Sequence, residues 1–521
     1  MRFSGDRRLK VATILSMCLA MFMVLLDNTV VNVALPSISE DMGTSVAGLQ
    51  WIVNAYTLFF ASFMLTSGAL GDLYGRKRVV LAGLALFTFA SVLCGLAPTA
   101  PLLVAARALQ GVGAAALLPT TLAIITATFP DGRERAQAIG VWAGVSALAL
   151  AAGPVLGGVL TDSLGWQSVF FVNLPVGVLA FAVARRVVQD PDRPPEATRR
   201  RVDVPGQVLA VVALGSLTSA LIEGPSRGWG SPLIVGLLVL AAVAGAAFLA
   251  VERRVDDPML PLGLFRNRTF SAAVGVAGLA FFGTLSMLVY LSLYFQNVQG
   301  YSAVETGLRF LPLEGAIVVV APLAGRISGR IGSRWLMTAG MALGGLALIL
   351  LARVQPATDY ADIWWNLTML GVGMALTMAP ATAAIMGSVA STRAGVASAV
   401  SNTSRQVGAV FGVAVLGAVL TSRTRSALTG SLDRLGVGEA ARSRLVSGAG
   451  EGTLAAGVDL GGLDAEAVRG AVESAYVSGL HSALVLAGLA LLLASVTAAA
   501  FVRRTGSEDV SDVPEMTAAA A

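Results

Sequence analysis

The chain has 521 residues, of which 55% are hydrophobic and only 13% charged, about half the charged fraction of an ordinary soluble protein, where roughly 25% is usual. That composition excludes a single water-soluble domain, and the net charge of +5, carried mostly by loop residues, gives no reason to expect a nucleic-acid partner. Apolar runs of about 20 residues, the length that crosses a hydrocarbon core, recur along almost the whole sequence.

In chain order, windows bounded by Gly, Pro and charge predict helices over 11–34, 48–70, 79–97, 101–126, 136–160, 167–186 and 204–223. A further set is predicted over 232–251, 269–297, 304–326, 334–354, 362–386, 397–421 and 479–502, making fourteen spans. The fold class expected is therefore an all-α integral membrane protein. The N-terminal MRFSGDRRLK could open a signal peptide, but the apolar run continues and no small-residue cleavage site follows, so it reads as the first retained helix.

The first span is interrupted by Asp27 in VLLDNTVVNVALP. A charge at the centre of a membrane helix costs about 2.5 to 3.5 kcal/mol even on insertion scales, so it is expected to face water or a partner. Asn28 and Asn32 flank it with neutral polarity, and the expectation is a helix with one wet face. Arg107 in the fourth span lies at similar depth and could meet Asp27. Two further ionisable groups, Glu314 and Arg405, fall within the tenth and thirteenth spans; Ser398, Asn402 and Arg405 form one polar stripe at i, i+4 and i+7, expected to face a cavity. Glu314 and Arg405 could equally be a structural ion pair. Tyr294 and Met378 offer the aromatic and soft side chains that suit an adaptable apolar pocket, although such residues commonly serve packing.

Lys and Arg crowd one set of loops: about twenty-five lie on the side holding both termini, including Arg76 to Arg78, whereas the opposite short loops carry Arg227 and Arg353. Both termini are therefore expected to be cytoplasmic. The segment 422–478 holds six arginines, yet long loops translocate largely regardless of charge, and it is expected to be a partly ordered outer cap. The tail 505–521 is expected to be disordered. Cys18 and Cys94 both fall in spans, so neither a disulfide framework nor a metal cluster is expected, and no cofactor is foreseen.

GALGDLYGRK (68–77) is echoed by GRISGRIGSR (325–334), and QGVGAA (110–115) by LGVGMA (370–375), at offsets of 257 and 260 residues. Two echoes at nearly one spacing predict duplicated halves of the kind that rock around a central site. Asp72 and Arg107 have no charged counterpart at Gly329 and Leu367, so the chemistry is expected to be asymmetric.

These motifs, with LDNTVVNVALP, GALGDLYGRKR, RALQGVGAA, GVSALALAAGPVLGG, WQSVFFVNLPVG and NTSRQVGAVFG, resemble the major facilitator superfamily. Within it they are similar to the fourteen-helix drug:proton antiporter branch, the EmrB/QacA-like multidrug exporters. The resemblance implies a major facilitator fold. Six-helix bundles over 1–190 and over 263–421 with 479–504 would flank two extra helices within 191–262. It implies a conformational latch at Gly68, Asp72, Gly75 and Arg76, and an antiporter helix marked by Gly144, Gly153, Pro154, Gly157 and Gly158. It links the arginine matching Arg107 to proton transfer; the candidate proton-carrying carboxylates, read from their place in apolar spans, are Asp27 first and Glu314 next. Asn28, Asn32, Tyr294, Met378, Asn402 and Arg405 are the substrate candidates. The function expected is proton-coupled export of hydrophobic or amphipathic drugs or antibiotics across the bacterial cytoplasmic membrane, with the drug, protons and lipid as partners and a monomer as the acting unit. The rival readings are a proton-coupled importer of a nutrient or metabolite on the same fold and, less favoured, a membrane enzyme or receptor. Against the last stand one histidine, two cysteines inside spans and no catalytic constellation.

Overall fold

The computed structural model describes residues 2–129, 131–188, 203–255, 258–389, 394–435, 437–439, 442, 445–446 and 465–503, and within them it is helical. Among these described residues fourteen helices are long and apolar enough to cross a membrane. In chain order they are built from α1 (Arg2–Met42), α2 (Val46–Tyr74), α3 (Arg76–Gly95), α4 (Ala100–Thr128), α5 (Gly132–Leu164), the short α6 (Ser168–Phe171) with α7 (Asn173–Val187), α8 (Val204–Arg227) and α9 (Pro232–Glu252). There follow α10 (Arg268–Leu293), closed by a π-turn, α11 (Ala303–Arg309) with α12 (Leu311–Ile331), α13 (Ser333–Leu351), α14 (Trp364–Gly387), α15 (Ala394–Arg434) and α16 (Ala465–Phe501).

Several ends differ from expectation for identifiable reasons. The predicted stop of the first helix before Pro36 is overrun, because α1 continues through the proline to Met42; a proline removes one hydrogen bond, and here the loss is borne. The extension is tied down by Trp166, whose indole donates to Asp41 at 2.8 Å. Gly68 does not make a turn: it lies inside α2, and the turn into α3 is made by Gly75 alone, at φ 100°, a backbone region that disfavours side chains. The segment 422–478, expected to be a partly ordered cap with a helix-like stretch at AEAVRGAVESAYVSGL, is largely helix where it is described. α15 runs on to Arg434 and α16 begins at Ala465, the two joined by an apolar cluster of Leu428, Leu432, Val468 and Val472. The tail from residue 505 lies outside the described residues, as does the side chain of Asp72.

The helices sort by packing. α1 to α7 form one bundle, and α10 to α16 another, with α8 lying against both α2 and α15 and α9 packed on α8. Glycines show why the repeated motifs recur. A Cβ on Gly111 would stand 2.3 Å from the Tyr56 carbonyl of α2, and one on Gly113 2.7 Å from the backbone of Phe87 on α3. In the second bundle a Cβ on Gly371 would stand 2.2 Å from the Leu313 carbonyl of α12, and one on Gly373 2.5 Å from the Gly340 carbonyl of α13. The same two residues of each GVG therefore let one central helix touch its two neighbours, at the offset between the two halves read in the sequence.

Hydrogen bonds joining the two bundles gather at the end where α1, α5 and α10 finish and α2 begins, opposite the Arg76–Arg78 turn. Gln296 donates to the Val33 carbonyl at 3.0 Å, and Gln50 to the Tyr290 hydroxyl at 3.4 Å. At the same end the carboxylate of Asp162, in the last turn of α5, accepts the backbone N–H groups of Ala303 and Val304.

Candidate functional site: a buried carboxylate network in the first bundle

Asp27 sits midway along α1 and is fully buried, 0% exposed. Its Oδ2 accepts a hydrogen bond and ion pair from Nη1 of Arg107, which is 2% exposed. Its Oδ1 accepts from the side-chain amides of Gln110 at 2.8 Å and Asn173 at 2.9 Å. Gln110 and Asn173 share the Ser91 hydroxyl, at 2.8 and 3.4 Å. Arg107 in turn donates to Gln110 Oε1 at 2.7 Å and, through Nε, to the Ile52 carbonyl at 3.2 Å. Its guanidinium lies 4.2 Å from the ring centre of Tyr56 and 5.7 Å from that of Phe170. Five membrane spans thus meet around one carboxylate that has three donors.

Local sequence explains how each group arrives. Gln110 stands three residues after Arg107, one turn along the same face of α4, and the glycines just beyond it draw α4 against α2 and α3. Asn173 stands where the span Ser168–Val187 breaks into α6 and α7. Pro175, in the NLP of that span, has no N–H to give to the Phe171 carbonyl, so the helix restarts at Asn173 with its side chain turned into the bundle, 1% exposed. Gly177 then lets α7 close on Thr88 of α3, where a Cβ would stand 2.1 Å from the hydroxyl. Removing a partner from a buried polar group costs about 1 to 3 kcal/mol. Asn173→Leu is therefore expected to lower the midpoint of thermal unfolding in detergent, and an unchanged midpoint would mean Asp27 does not depend on that amide.

The expectation of a wet face around Asp27 is corrected. Asp27, Asn28 and Asn32 are all buried, at 0%, 7% and 3% exposure. The carboxylate is satisfied by protein donors within the bundle, so it needs no water. Asn32 is different in kind: neither polar atom of its side chain has a hydrogen-bond partner, and the same holds for Asn54 of α2.

The other expected residues are spread out. Glu314, in the first turn of α12, is buried, and among the described residues its side chain forms no ion pair or hydrogen bond. It is not paired with Arg405, whose guanidinium donates to the Thr382 hydroxyl at 2.8 Å. The structural ion pair considered for the two is therefore absent. Thr382 follows Met378 by one turn of α14, so Met378, Thr382 and Arg405 form a patch with half-buried Asn402 beside it on α15. Tyr294 is fully buried at the closed end, donating to the Gln355 carbonyl at 2.6 Å and accepting from Gln299, with its ring against Phe295. Packing and hydrogen bonding of the closed end account for it in this conformation. Arg76 donates to the Ala123 carbonyl at 3.1 Å, tying the α2–α3 turn to α4.

On α5, the GxxxG pair Gly153 and Gly157 receives α1: Cβ atoms there would stand 1.8 Å from the Thr29 hydroxyl and 2.6 Å from the Val30 carbonyl. Gly158 faces the other bundle, 2.4 Å by the same measure from the Ala303 carbonyl, and Gly307 of α11 stands 2.2 Å from the carbonyl of Pro154. Gly144, by contrast, has nothing within 4 Å.

A membrane-embedded pair of repeated six-helix bundles with one seam closed by glycines defines a solute carrier. The sequence profile of the Major Facilitator Superfamily matches residues 17–413, and the chain belongs to that superfamily; it is a multi-pass membrane transporter and no enzyme. It is 40% identical over 427 residues to the multidrug resistance protein Stp of Mycobacterium tuberculosis (strain CDC 1551 / Oshkosh), covering 82% of this chain and 79% of that one. It is 34% identical over 502 residues to the tetracenomycin C resistance and export protein of Streptomyces glaucescens, covering 95% and 92%. Among solved structures, a bacterial homologue of the human lysosomal transporter Spinster, in an inward-facing and occupied conformation, superposes with a TM-score of 0.63 at 19% identity, over 93% of this chain and 95% of that one. That likeness concerns the fold alone.

Proposed function

We propose that the protein is a proton-coupled antiporter that exports amphipathic drugs or antibiotics from the cytoplasm or inner leaflet, with both termini cytoplasmic. The observation that carries the coupling is the Asp27 carboxylate, fully buried and ion-paired inside a bundle that carries the outer seal. Drug export as the cargo is supported by relatives whose names are those of multidrug and antibiotic resistance proteins.

The positive-inside pattern puts the Arg76–Arg78 turn in the cytoplasm. The closed end is then the outer one, and the conformation is the one that takes drug from inside. A proton on Asp27 would neutralise the carboxylate while leaving Arg107 a buried cation. Breaking a buried ion pair costs about 3 to 5 kcal/mol, comparable to the few kcal/mol that separate the conformers of a switching protein. Protonation can therefore choose between them. A path for that choice runs along packed backbone. Thr29 and Val30, within one turn of Asp27, lie on Gly153 and Gly157 of α5, and the adjacent Gly158 lies on α11 of the other bundle. An inward-moving proton supplies about 2.3 kcal/mol per 100 mV of potential and about 1.4 kcal/mol per pH unit, enough for a drug gradient of two decades.

Expression in an efflux-deficient bacterium is expected to raise resistance to lipophilic cations such as ethidium, and to reduce ethidium accumulation until a protonophore is added. Accumulation equal to the empty vector across a broad drug panel would refute export as the function.

A further inference from the structure

As a carboxylate near a helix end Asp162 is unremarkable in the sequence, yet its side chain bonds across the seam between the bundles. It lies in the last turn of α5. Its Oδ1 accepts the N–H of Ala303 at 3.2 Å, and its Oδ2 the N–H of Val304 at 3.0 Å. These are the first two residues of α11, whose next two N–H groups are held within its own bundle: Glu305 by the Ser302 hydroxyl and Thr306 by the Ser302 carbonyl. The opening turn of the span Ala303–Ser328 is thus completed half by its own cap and half by the other bundle. Directly beneath, Gly158 and Gly307 put the backbones of α5 and α11 in contact.

We propose that Asp162 is the outer latch of the transport cycle. Its two hydrogen bonds exist only while the bundles meet at this end, so they stabilise the cytoplasm-facing conformation selectively and must break each time the outer end opens. Neither group is lost to water when the latch opens. Asp162 is exposed even in the closed state, and the freed N–H groups can be solvated. The bonds therefore shift the balance between conformers without being needed for the fold. The glycines supply the close approach, and the carboxylate supplies the preference for keeping it. This inference uses the alternating-access reading above for naming the two ends, but it does not depend on proton coupling.

The test is a pair of distance measurements by spin labelling of the full-length protein in detergent. Both native cysteines are buried, which confines labelling to introduced pairs. One pair, at exposed Leu164 on α5 and exposed Leu308 on α11, spans the outer seam. The other, at exposed Val141 on α5 and exposed Ile327 on α12, spans the opposite end. Loss of two charge-assisted bonds is expected to raise the population of the outer-open form about tenfold in Asp162→Ala. The outer pair should lengthen and the cytoplasmic pair should shorten together. Asp162→Asn, which keeps the side chain's size but brings an amide N–H towards two N–H donors, should shift both pairs the same way. Unchanged distances in both variants would overturn the latch. Lengthening at the outer pair with no closing at the other would overturn it too, since that is local fraying. The same measurement with Asp27→Asn added separates the two ideas. A distance shift that persists while drug-driven proton flux is absent in the wild type would keep the latch and reject the coupling.

Discussion

Asp27→Asn is expected to abolish drug-driven proton movement, and with it resistance, while leaving drug binding measurable. The side chain keeps its size and can still accept a hydrogen bond from Gln110 or Asn173, but it carries no charge to set against Arg107 and no proton to exchange. Arg107 would remain buried with the Ile52 carbonyl, Gln110 and the rings of Tyr56 and Phe170 around it, and no counter-charge. Truncating one partner of a buried pair costs about 3 to 5 kcal/mol, so the variant should also unfold at lower temperature. Binding should survive, because Asp27 is sealed inside the first bundle and offers no atom to a solute between the bundles. The control is a double-mutant cycle with Arg107→Leu. Removing both charges should cost less than the sum of the two single changes, since coupled neighbours differ from additivity by about 0.5 to 3 kcal/mol. Additive effects would mean that the two residues act separately, and retained proton flux in Asp27→Asn would move the role to another carboxylate, Glu314 first.

The second large effect is expected at Gly158. A side chain there would begin 2.4 Å from the Ala303 carbonyl and 2.6 Å from the Val304 Cα, and backbone atoms cannot step aside as a flexible side chain can. Gly158→Leu should hold α5 off α11 and prevent the outer end from closing. Overpacking typically costs about 1 to 3 kcal/mol, and each 1.4 kcal/mol is about a factor of ten in an equilibrium, so ethidium efflux should fall about tenfold or more. Gly144→Ala is the contrast: with nothing within 4 Å, it should leave efflux close to wild type. Similar efflux in both variants would show that the seam is not limiting. The comparison also divides the glycines of the α5 motif by position, two on α1, one on α11 and one in open space.

The fold was readable because its main signals are blunt. Fourteen apolar runs and two echoes at nearly one offset required only length and repetition, and the GVG glycines of both halves do the same packing work. Helix ends were less readable. Pro36 looks like a stop, and the arginines after residue 421 look like a loop, yet tertiary contacts from Trp166 to Asp41 and from Leu428 and Leu432 to α16 carry the helices onward. Asp27 and Arg107 stood out as charges in apolar sequence. Their neutral partners did not, although Gln110 opens the QGVGAA echo and Asn173 precedes the only proline of its span. Amides are unremarkable until something shows that a carboxylate lies opposite them. Asp162 was hidden for another reason: a carboxylate near a helix end has an ordinary explanation, and only the position of α11 reveals that its partners belong to the other bundle.

Coupling of drug to proton is the central claim, and it is tested most directly in proteoliposomes containing the purified protein and a lumenal pH dye. With the lumen acidic and the membrane potential clamped at zero, adding ethidium outside should make wild-type vesicles accumulate the dye cation and lose lumenal protons faster, and Asp27→Asn vesicles should do neither. Ethidium uptake by wild type that is indifferent to the imposed pH gradient, with no change in lumenal pH, would contradict the account.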